Sequence, residues 1–241
     1  AKGEMTIQKS GEDGFGYVGA AIVAEAMATT LAASPFMASS IVALTLLKRL
    51  DHPLVEPVMS GEAIVTLAVD ESGHHAPDKT QTSAENSGET WVVSGLKTFV
   101  PEGHVADHII VLANTCDGLS LFLVDKGAKG LIVDRTVMAD SRNWAKVTFE
   151  KTPAILLGKI GEAMSHVKPT LDVANIIYSA ELLGLSEAAF AMTTAYLKER
   201  KQFGRIIGSF QGLQHRAAHL FSELALTRSA VLKAAQLADT S

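Results

Sequence analysis

Residues that suit a ligand with phosphates and a ring system lie close together between positions 200 and 211. Arg200 offers a planar fork of donors that matches phosphate geometry, while Gln202 and Gln211 add neutral donors and acceptors. Phe203 and Phe210 offer apolar faces to a ring. The residue types of the segment therefore suit contact with a nucleotide. On spacing alone, however, a helix–loop–helix corner with a solvated charge cluster is the favoured interpretation, because short motifs often match by chance.

Histidines and one cysteine suggest other chemistry. His215 and His219 are four residues apart on a predicted helix, which suits two metal ligands, but no third ligand is evident and we predict no metal site. His74 and His75 fall in a polar loop, for which solvent exposure is the default interpretation and ligand contact the minority one. Cys116 precedes Asp-Gly at a predicted hairpin end, so we do not interpret it as a nucleophile.

Three stretches of different pattern must position these residues. Positions 1–62 carry apolar residues at helical spacing and form a predicted N-terminal helical part. Positions 63–157 are rich in β-branched and aromatic residues and form a predicted middle β domain. Positions 158–241 return to the helical pattern and form a C-terminal helical domain that looks incomplete. The predicted fold class is α+β, with N-terminal helices, an antiparallel β-barrel or sandwich, and a long-helix bundle.

Local signals set finer expectations for the N-terminal helices. Ser34 precedes a proline, which is expected to end the first helix there. Ser39 or Ser40 is expected to cap a second helix that runs to Leu50.

Similar signals apply to the rest of the chain. The predicted strands cover positions 64–69, 90–94, 108–113, 119–124 and 144–149. Gly95 predicts a turn between two short strands. Pro169 is expected in the first turn of a long helix that runs to Tyr196, and a last helix is expected from about Ser209.

The composition excludes several classes of protein. The 241 residues are 47% hydrophobic and 20% charged, which is typical of a globular chain and not of a disordered one. A net charge of −5 argues against nucleic-acid binding. The single cysteine excludes disulfide scaffolds and fits a reducing cytosol, so a cytoplasmic protein is predicted. No stretch resembles a membrane span or a signal peptide.

The segment that opens with Arg200 resembles the signature of the acyl-CoA dehydrogenase family, Arg-x-x-Phe-Gly followed seven residues later by Gln. Arg200, Phe203, Gly204 and Gln211 match it at that spacing. Shorter similarities extend over most of the chain, at Ser60-Gly61-Glu62-Ala63, Gly95-Leu96-Lys97, Ala106-Asp107 and Ala180-Glu181-Leu182-Leu183-Gly184.

The resemblance implies FAD-dependent oxidation of an acyl-CoA thioester to the 2,3-enoyl-CoA. A glutamate would remove the α-proton while the β-hydride passes to flavin N5. It also implies a homodimer or tetramer in which FAD is contacted from two sides. The implied FAD contacts are Arg200, Gln202, Phe203 and Gln211 across the subunit interface, and Val69, Asp70 and Phe99 on the β domain.

The second motif of the family departs from its usual form. Members usually carry Thr-Glu-Pro-x-x-Gly-Ser after the first strand; here Asp70 stands at the threonine position, Glu71 matches, and the Gly-Ser pair is absent. Where Trp-Ile-Thr is usual the chain has Phe99-Val100-Pro101, and proline has neither a hydroxyl nor an N–H. A carboxylate at position 70 would face a ring that becomes anionic on reduction. These departures disfavour tight FAD binding there.

No residue is assigned as the catalytic base. A minority of family members place the glutamate on the long helix, at a position that is Ala174 here. Asp172 is about 200° away around a helix, and Glu181 is about 10 Å farther along it, so neither is a ready substitute.

Other functions follow from the same resemblance. A non-catalytic or half-site subunit could pair with an active homologue, because the chain keeps Arg200 and Gln211 while its own flavin loop has diverged. Flavin monooxygenases and acyl-CoA oxidases resemble the same family and differ in what the flavin reacts with. The chain starts at Ala1 and ends without a helix stop signal, so a fragment is expected.

Overall fold

The computed structural model describes residues 16–88, 90–140 and 142–240. The first fifteen residues of the predicted N-terminal part therefore lie outside the described residues. The chain divides into two units. One contains residues 33–174, and the other contains residues 16–32 together with residues 175–240.

The helices and strands follow one another in segregated blocks. The helices are α1 (Gly16–Ala28), a π-helix (Phe36–Ala43) that continues into α2 (Leu44–Arg49), α3 (Val55–Met59), α4 (Ala163–Glu199) and α5 (Gln211–Asp239). The strands are β1 (Val65–Ala68), β2 (Ser83–Asn86), β3 (Trp91–Pro101), β4 (His108–Thr115), β5 (Gly118–Asp125), β6 (Leu131–Thr136), β7 (Trp144–Leu157), β8 (Lys201–Gln202) and β9 (Arg205–Ile206). The predicted α+β fold class is confirmed.

Helix α1 ends at Ala28, so the expected stop at Ser34 is wrong. The hydroxyls of Thr29 and Thr30 donate to carbonyls of the last turn, and Leu31 then adopts a left-handed conformation with φ of 51°. These local hydrogen bonds compete with helix continuation well before the proline can act.

The expected capping role of Ser39 or Ser40 is also wrong. Both residues lie inside the π-helix, and the Ser39 hydroxyl accepts a hydrogen bond from the N–H of Val65 at 3.1 Å. Ser39 thereby ties this helical segment to the start of β1. The serine that the sequence suggested as a helix cap makes a tertiary contact instead.

The strands of the first unit form one sheet whose pairings close on themselves. β4 pairs with β5, β5 with β7, β7 with β3, β3 with β2, and β2 with β4. Most pairs are antiparallel, as predicted, but β1 runs parallel to β4 and so does the single β2–β4 pairing. Strands β2 and β6 were not predicted. Phe122, Phe149 and Val93 are among the fully buried residues that fill the interior.

Strand β3 is continuous, so the predicted turn at Gly95 is wrong. Gly95 has φ of 147°, and the β3–β7 register shifts between Val93 and Gly95. A Cβ on Gly95 would lie 2.6 Å from the Thr82 hydroxyl oxygen. Gly95 therefore lies at a β-bulge, where the absence of a side chain lets Thr82 approach β3 closely. The strand continues past the bulge to Phe99.

Helix α4 begins at Ala163, so Pro169 lies inside it and not in its first turn. The chain turns at Gly161, whose φ is 77° and whose Cβ would lie 2.6 Å from the Asp117 carbonyl oxygen. This close approach starts the helix earlier than the proline signal indicated. No helix in the described ranges has the length and apolar character needed to cross a membrane.

Helices α1, α4 and α5 meet in the second unit around one arginine. The Arg228 guanidinium donates to the carboxylates of Glu25 on α1 and Glu187 on α4. Gly184 allows α1 to approach, because a Cβ there would lie 2.2 Å from the Glu25 carbonyl oxygen. The N–H groups of Tyr17 and Val18 donate to the Asp239 carboxylate. These contacts orient α4 and α5, which carry the turn between them.

Candidate functional site

The predicted contacts on the β domain lie where β1 ends beside β3. We call residues 69–75 and 97–101 the β1–β3 edge. Lys97 is completely buried, and its ammonium donates to the Val69 carbonyl at 2.9 Å and to Glu71 Oε1 at 2.8 Å. The backbone N–H of Thr98 donates to the Asp70 carbonyl at 2.8 Å. The structure therefore brings Val69 and Asp70 to the strand that carries Phe99.

Glu71 is the charge partner that lets Lys97 be buried. Its carboxylate also accepts the N–H groups of Gln81 at 2.7 Å and Thr82 at 2.9 Å. Partial burial on its own raises the pKa of Glu71, but the hydrogen bonds from Lys97 and from these N–H groups outweigh it and lower the pKa to about 2. Burial lowers the pKa of Lys97, and Glu71 opposes that shift. The pair fixes the loop after β1.

Asp70 has a partner that the sequence did not predict. Asp70 Oδ1 lies 2.8 Å from Nδ1 of His75, and the two side chains are 30% and 54% exposed. His75 is thus a hydrogen-bond partner of Asp70 within the loop, and its neighbour His74 donates its backbone N–H to Ser72 Oγ. The i, i+5 spacing of a carboxylate and an imidazole around Gly73 is the one signal that could have suggested the pair.

Phe99 presents a ring at this edge, but the residues on either side of it offer few donors. Phe99 has φ of 51° and its side chain is exposed. Pro101 has no N–H, and its carbonyl accepts the Thr66 hydroxyl at 2.6 Å. The Thr98 hydroxyl has no partner among the described residues, but it is buried and so is not presented at the surface.

The turn between α4 and α5 contains a short hairpin, where a loop was predicted. Strands β8 and β9 pair, with Phe203 and Gly204 at the tip in left-handed conformations, φ 54° and 76°. Phe203 is 91% exposed. A bulky residue in this region of backbone space is strained, and such strain is concentrated at functional positions.

The polar residues of the signature stand around this hairpin. The Arg200 guanidinium and the Gln211 side chain make no hydrogen bond within the described ranges, and both residues are exposed. Gln202 Nε2 donates only to the carbonyl of its neighbour Lys201. The structure therefore brings Arg200, Gln202, Phe203 and Gln211 together on one turn with most of their donors free.

Sequence reasoning missed one contact in this turn. The Arg205 guanidinium carbon lies 4.0 Å from the centroid of the Phe210 ring, and Phe203 meets that ring edge-on at 6.2 Å. The turn packs closely against α4 at Gly208, where a Cβ would lie 2.6 Å from the Leu197 carbonyl oxygen. A basic residue between two aromatic residues could have predicted such stacking.

The positions considered for a catalytic base differ in exposure. Ala174 is buried on α4, whereas Asp172 is exposed and Glu181 is half-buried. His219 Nε2 lies 3.7 Å from Glu223. Across residues 16–88, 90–140 and 142–240, no three histidine, cysteine or acidic side chains are grouped as a metal ion would require.

Two family models match the chain. The acyl-CoA dehydrogenase middle domain covers residues 68–152, and the acyl-CoA dehydrogenase C-terminal domain covers residues 164–241. The chain is 30% identical over 195 residues to the mitochondrial short/branched chain specific acyl-CoA dehydrogenase of Bos taurus, which covers 76% of this chain and 45% of that protein. It spans about half the length of the curated relatives that it matches.

Solved structures agree with this assignment. A variant of the Tcur3481-Tcur3483 steroid ACAD superposes with a TM-score of 0.83 at 31% identity, covering 94% of this chain and 62% of that one. The ChsE4-ChsE5 complex from Mycobacterium tuberculosis superposes with a TM-score of 0.81 at 27% identity over the same shares. Sequence signature, fold and both domain matches lead to one conclusion, that the chain belongs to the acyl-CoA dehydrogenase family.

Proposed function

We propose that this protein is a subunit of a flavoprotein that oxidises an acyl-CoA thioester to the 2,3-enoyl-CoA with FAD. One observation carries the proposal, namely that the α4–α5 turn presents Arg200 and Gln211 to solvent without hydrogen-bond partners in the described part of the chain. FAD supplies the electron acceptor, while the protein supplies binding, orientation and electrostatics.

The chemistry of the turn suits a dinucleotide. Arg200 can pair its planar guanidinium with a phosphate, and the amides of Gln202 and Gln211 can donate to neighbouring oxygens. Phe203 holds an exposed ring on a strained backbone, ready to pack on a flat ligand. We place all four residues in contact with the FAD of a neighbouring subunit.

Exposed apolar side chains on α4 and α5 support an oligomer. Leu182, Leu185, Met192 and Tyr196 on α4 are exposed, as are Leu220, Phe221, Leu226 and Leu232 on α5. Apolar faces of this extent are typical of association surfaces. An assembly with a second copy or with a homologous subunit would cover them and bring the turn to a neighbour's FAD.

The test is the absorption spectrum of the native assembly, isolated through a tag on this protein from the cells that encode it. Flavin bands that are bleached anaerobically by one member of an acyl-CoA panel are the expected result. An assembly without flavin would overturn the proposal. Flavin that no acyl-CoA reduces would also overturn it and would favour a monooxygenase or oxidase on the same fold.

A variant of the turn tests the assigned contact. We expect Arg200→Ala to weaken FAD retention by the assembly about ten- to a hundredfold, because a hydrogen bond to a charged group is lost. Arg135→Ala is the matched control, since Arg135 is an exposed arginine on β6 of the β domain. Equal FAD retention by both variants would show that Arg200 does not contact the cofactor.

A further inference from the structure

The charged groups of Lys97 and Glu71 at the β1–β3 edge are paired with each other and are not available to a ligand. Lys97 and Glu71 are paired, and Glu71 also accepts two backbone N–H groups. No donor of Lys97 faces outward, because its side chain is fully buried. A flavin ring placed here would find no free cation at this pair.

Asp70 adds a carboxylate where a flavin edge needs donors. A flavin takes up negative charge on reduction, so a carboxylate beside the ring is repulsive at short range. The Asp70 carboxylate is instead paired with His75 of its own loop. The loop is therefore closed on itself by the contact between Asp70 and His75.

Pro101 and Thr98 do not make up the deficit. Pro101 offers neither a hydroxyl nor an N–H, and its carbonyl is taken by Thr66. The Thr98 hydroxyl is buried. Phe99 still offers a ring for stacking, so the edge keeps an apolar contact, while neither Asp70 nor Pro101 supplies a hydroxyl and Pro101 supplies no N–H.

The α4–α5 turn shows the opposite condition. Its fold does not require the Arg200 guanidinium, which has no hydrogen-bond partner in the described ranges. Both sites hold an exposed phenylalanine at positive φ, Phe203 at 54° and Phe99 at 51°, so the free guanidinium and not the strained ring separates them. Within this chain the groups that suit a nucleotide are on the turn, and the groups that oppose one are on the β1–β3 edge.

We infer that this chain is a half-site subunit: it does not hold FAD on its own β domain, and it lends its α4–α5 turn to FAD held by a homologous subunit that has hydroxyl donors at the positions of Asp70 and Pro101. The inference rests on the proposed function and specifies the partner. Asp70, His75 and Pro101 are the residues that exclude FAD from this chain's own edge.

The experiment titrates FAD into the full-length protein expressed alone, followed by flavin fluorescence. The wild-type protein is expected to show no saturable binding. The variant Asp70→Thr/Pro101→Thr supplies two hydroxyl donors and an N–H, and we expect it to bind FAD saturably at concentrations at which the wild-type protein shows no saturation. The matched control is Asp125→Thr, which breaks the other exposed His–Asp pair, His108–Asp125 at 2.7 Å, and should gain nothing.

Each outcome bears on the inference separately from the proposed function. One FAD per chain in the wild-type protein alone would overturn the inference and leave the function intact. A restored variant with wild-type circular dichroism and elution volume but no gain in affinity would also overturn it. If that variant does not fold, FAD is counted in the native assembly: one FAD for every two acyl-CoA dehydrogenase-type chains supports the inference, and one for every chain overturns it.

Discussion

The β1–β3 edge and the α4–α5 turn both carry charged residues beside an exposed phenylalanine, but the charges are paired at the edge and Arg200 at the turn is unpaired within the described ranges. At the edge, a buried ammonium meets Glu71 and an aspartate meets His75, so every charge has a partner within the loop. At the turn, Arg200 is exposed and has no ion-pair partner among the described residues. A charge that is satisfied internally serves folding, whereas one left open is available to a ligand.

The difference shows why a matching motif is not yet a matching site. Glu71 matches the family pattern, and its main contacts are structural: Lys97 and two backbone N–H groups. Arg200 matches as well, and its side chain has no hydrogen-bond or ion-pair partner among the residues that the structure describes. Whether a residue that matches a family motif binds a cofactor therefore depends on which of its atoms have no partner within the protein.

Of the substitutions considered, Lys97→Met at the β1–β3 edge should cause the largest loss of unfolding free energy. Removing the buried ammonium leaves the Glu71 carboxylate without its charge partner, which costs about 3–5 kcal/mol of unfolding free energy. Arg200→Ala should change stability by less than about 0.5 kcal/mol. Urea denaturation of both variants provides the measurement.

A double variant separates the two interactions of the Lys97 ammonium, with Glu71 and with the Val69 carbonyl. Glu71→Gln/Lys97→Met removes both charges, and we expect it to recover part of the stability lost in Lys97→Met. Two equal losses would mean that the lysine acts through its hydrogen bond to the Val69 carbonyl and not through the ion pair with Glu71.

Acid should weaken the β1–β3 edge through Glu71. The folded-state pKa of Glu71, about 2, lies below its ordinary value of 4.5, so its stabilising contribution is complete above about pH 4.5 and is lost as the pH falls towards 2. The melting temperature of the wild-type protein should therefore fall more steeply between pH 5 and pH 3 than that of Glu71→Gln. Parallel curves for the two proteins would contradict the assignment.

Local patterns in the sequence predicted what local interactions determine. The predicted long helix falls within α4, and the five predicted strands at 64–69, 90–94, 108–113, 119–124 and 144–149 overlap β1, β3, β4, β5 and β7, because periodicity and side-chain type act over a few residues. Strand β2 was missed since its four residues, Ser83–Asn86, are mostly polar. Strand β6 was missed although Leu131, Ile132 and Val133 favour a strand, and its later residues, Asp134–Thr136, are polar.

Contacts between distant residues account for the errors. Gly95 was predicted as a turn because its sequence does not reveal the close approach of Thr82 that makes it a bulge. Ser39 was predicted as a helix cap because its sequence does not reveal the hydrogen bond from Val65. The parallel pairing of β1 with β4 had no signal, since four buried residues read alike in either direction. Asp70 was predicted as a flavin contact, while its pairing with His75 appears only when the loop is folded.

Gly208→Ala tests whether the shape of the turn matters as much as its charges. The added Cβ would meet the Leu197 carbonyl oxygen at 2.6 Å, so the turn must shift away from α4 at a cost of about 1–3 kcal/mol. Thermal melts should show the loss, and FAD retention by the assembly should fall with it. Gly212→Ala is the control, because a Cβ there meets nothing within 4 Å.

Arg205→Ala should have the smallest effect on stability, so an accompanying loss of FAD retention can be assigned to a lost contact with the cofactor. The guanidinium stacks on Phe210 at an exposed site, an arrangement worth about 0.5–1 kcal/mol. If the stack only stiffens the turn, Arg205→Lys will restore FAD retention, since an ammonium also binds a ring face. If Arg205 instead pairs with a phosphate through its planar fork, lysine will restore the melting temperature and leave FAD retention low. Melting temperature and FAD retention together decide whether Arg205, like Arg200, is available to bind the cofactor.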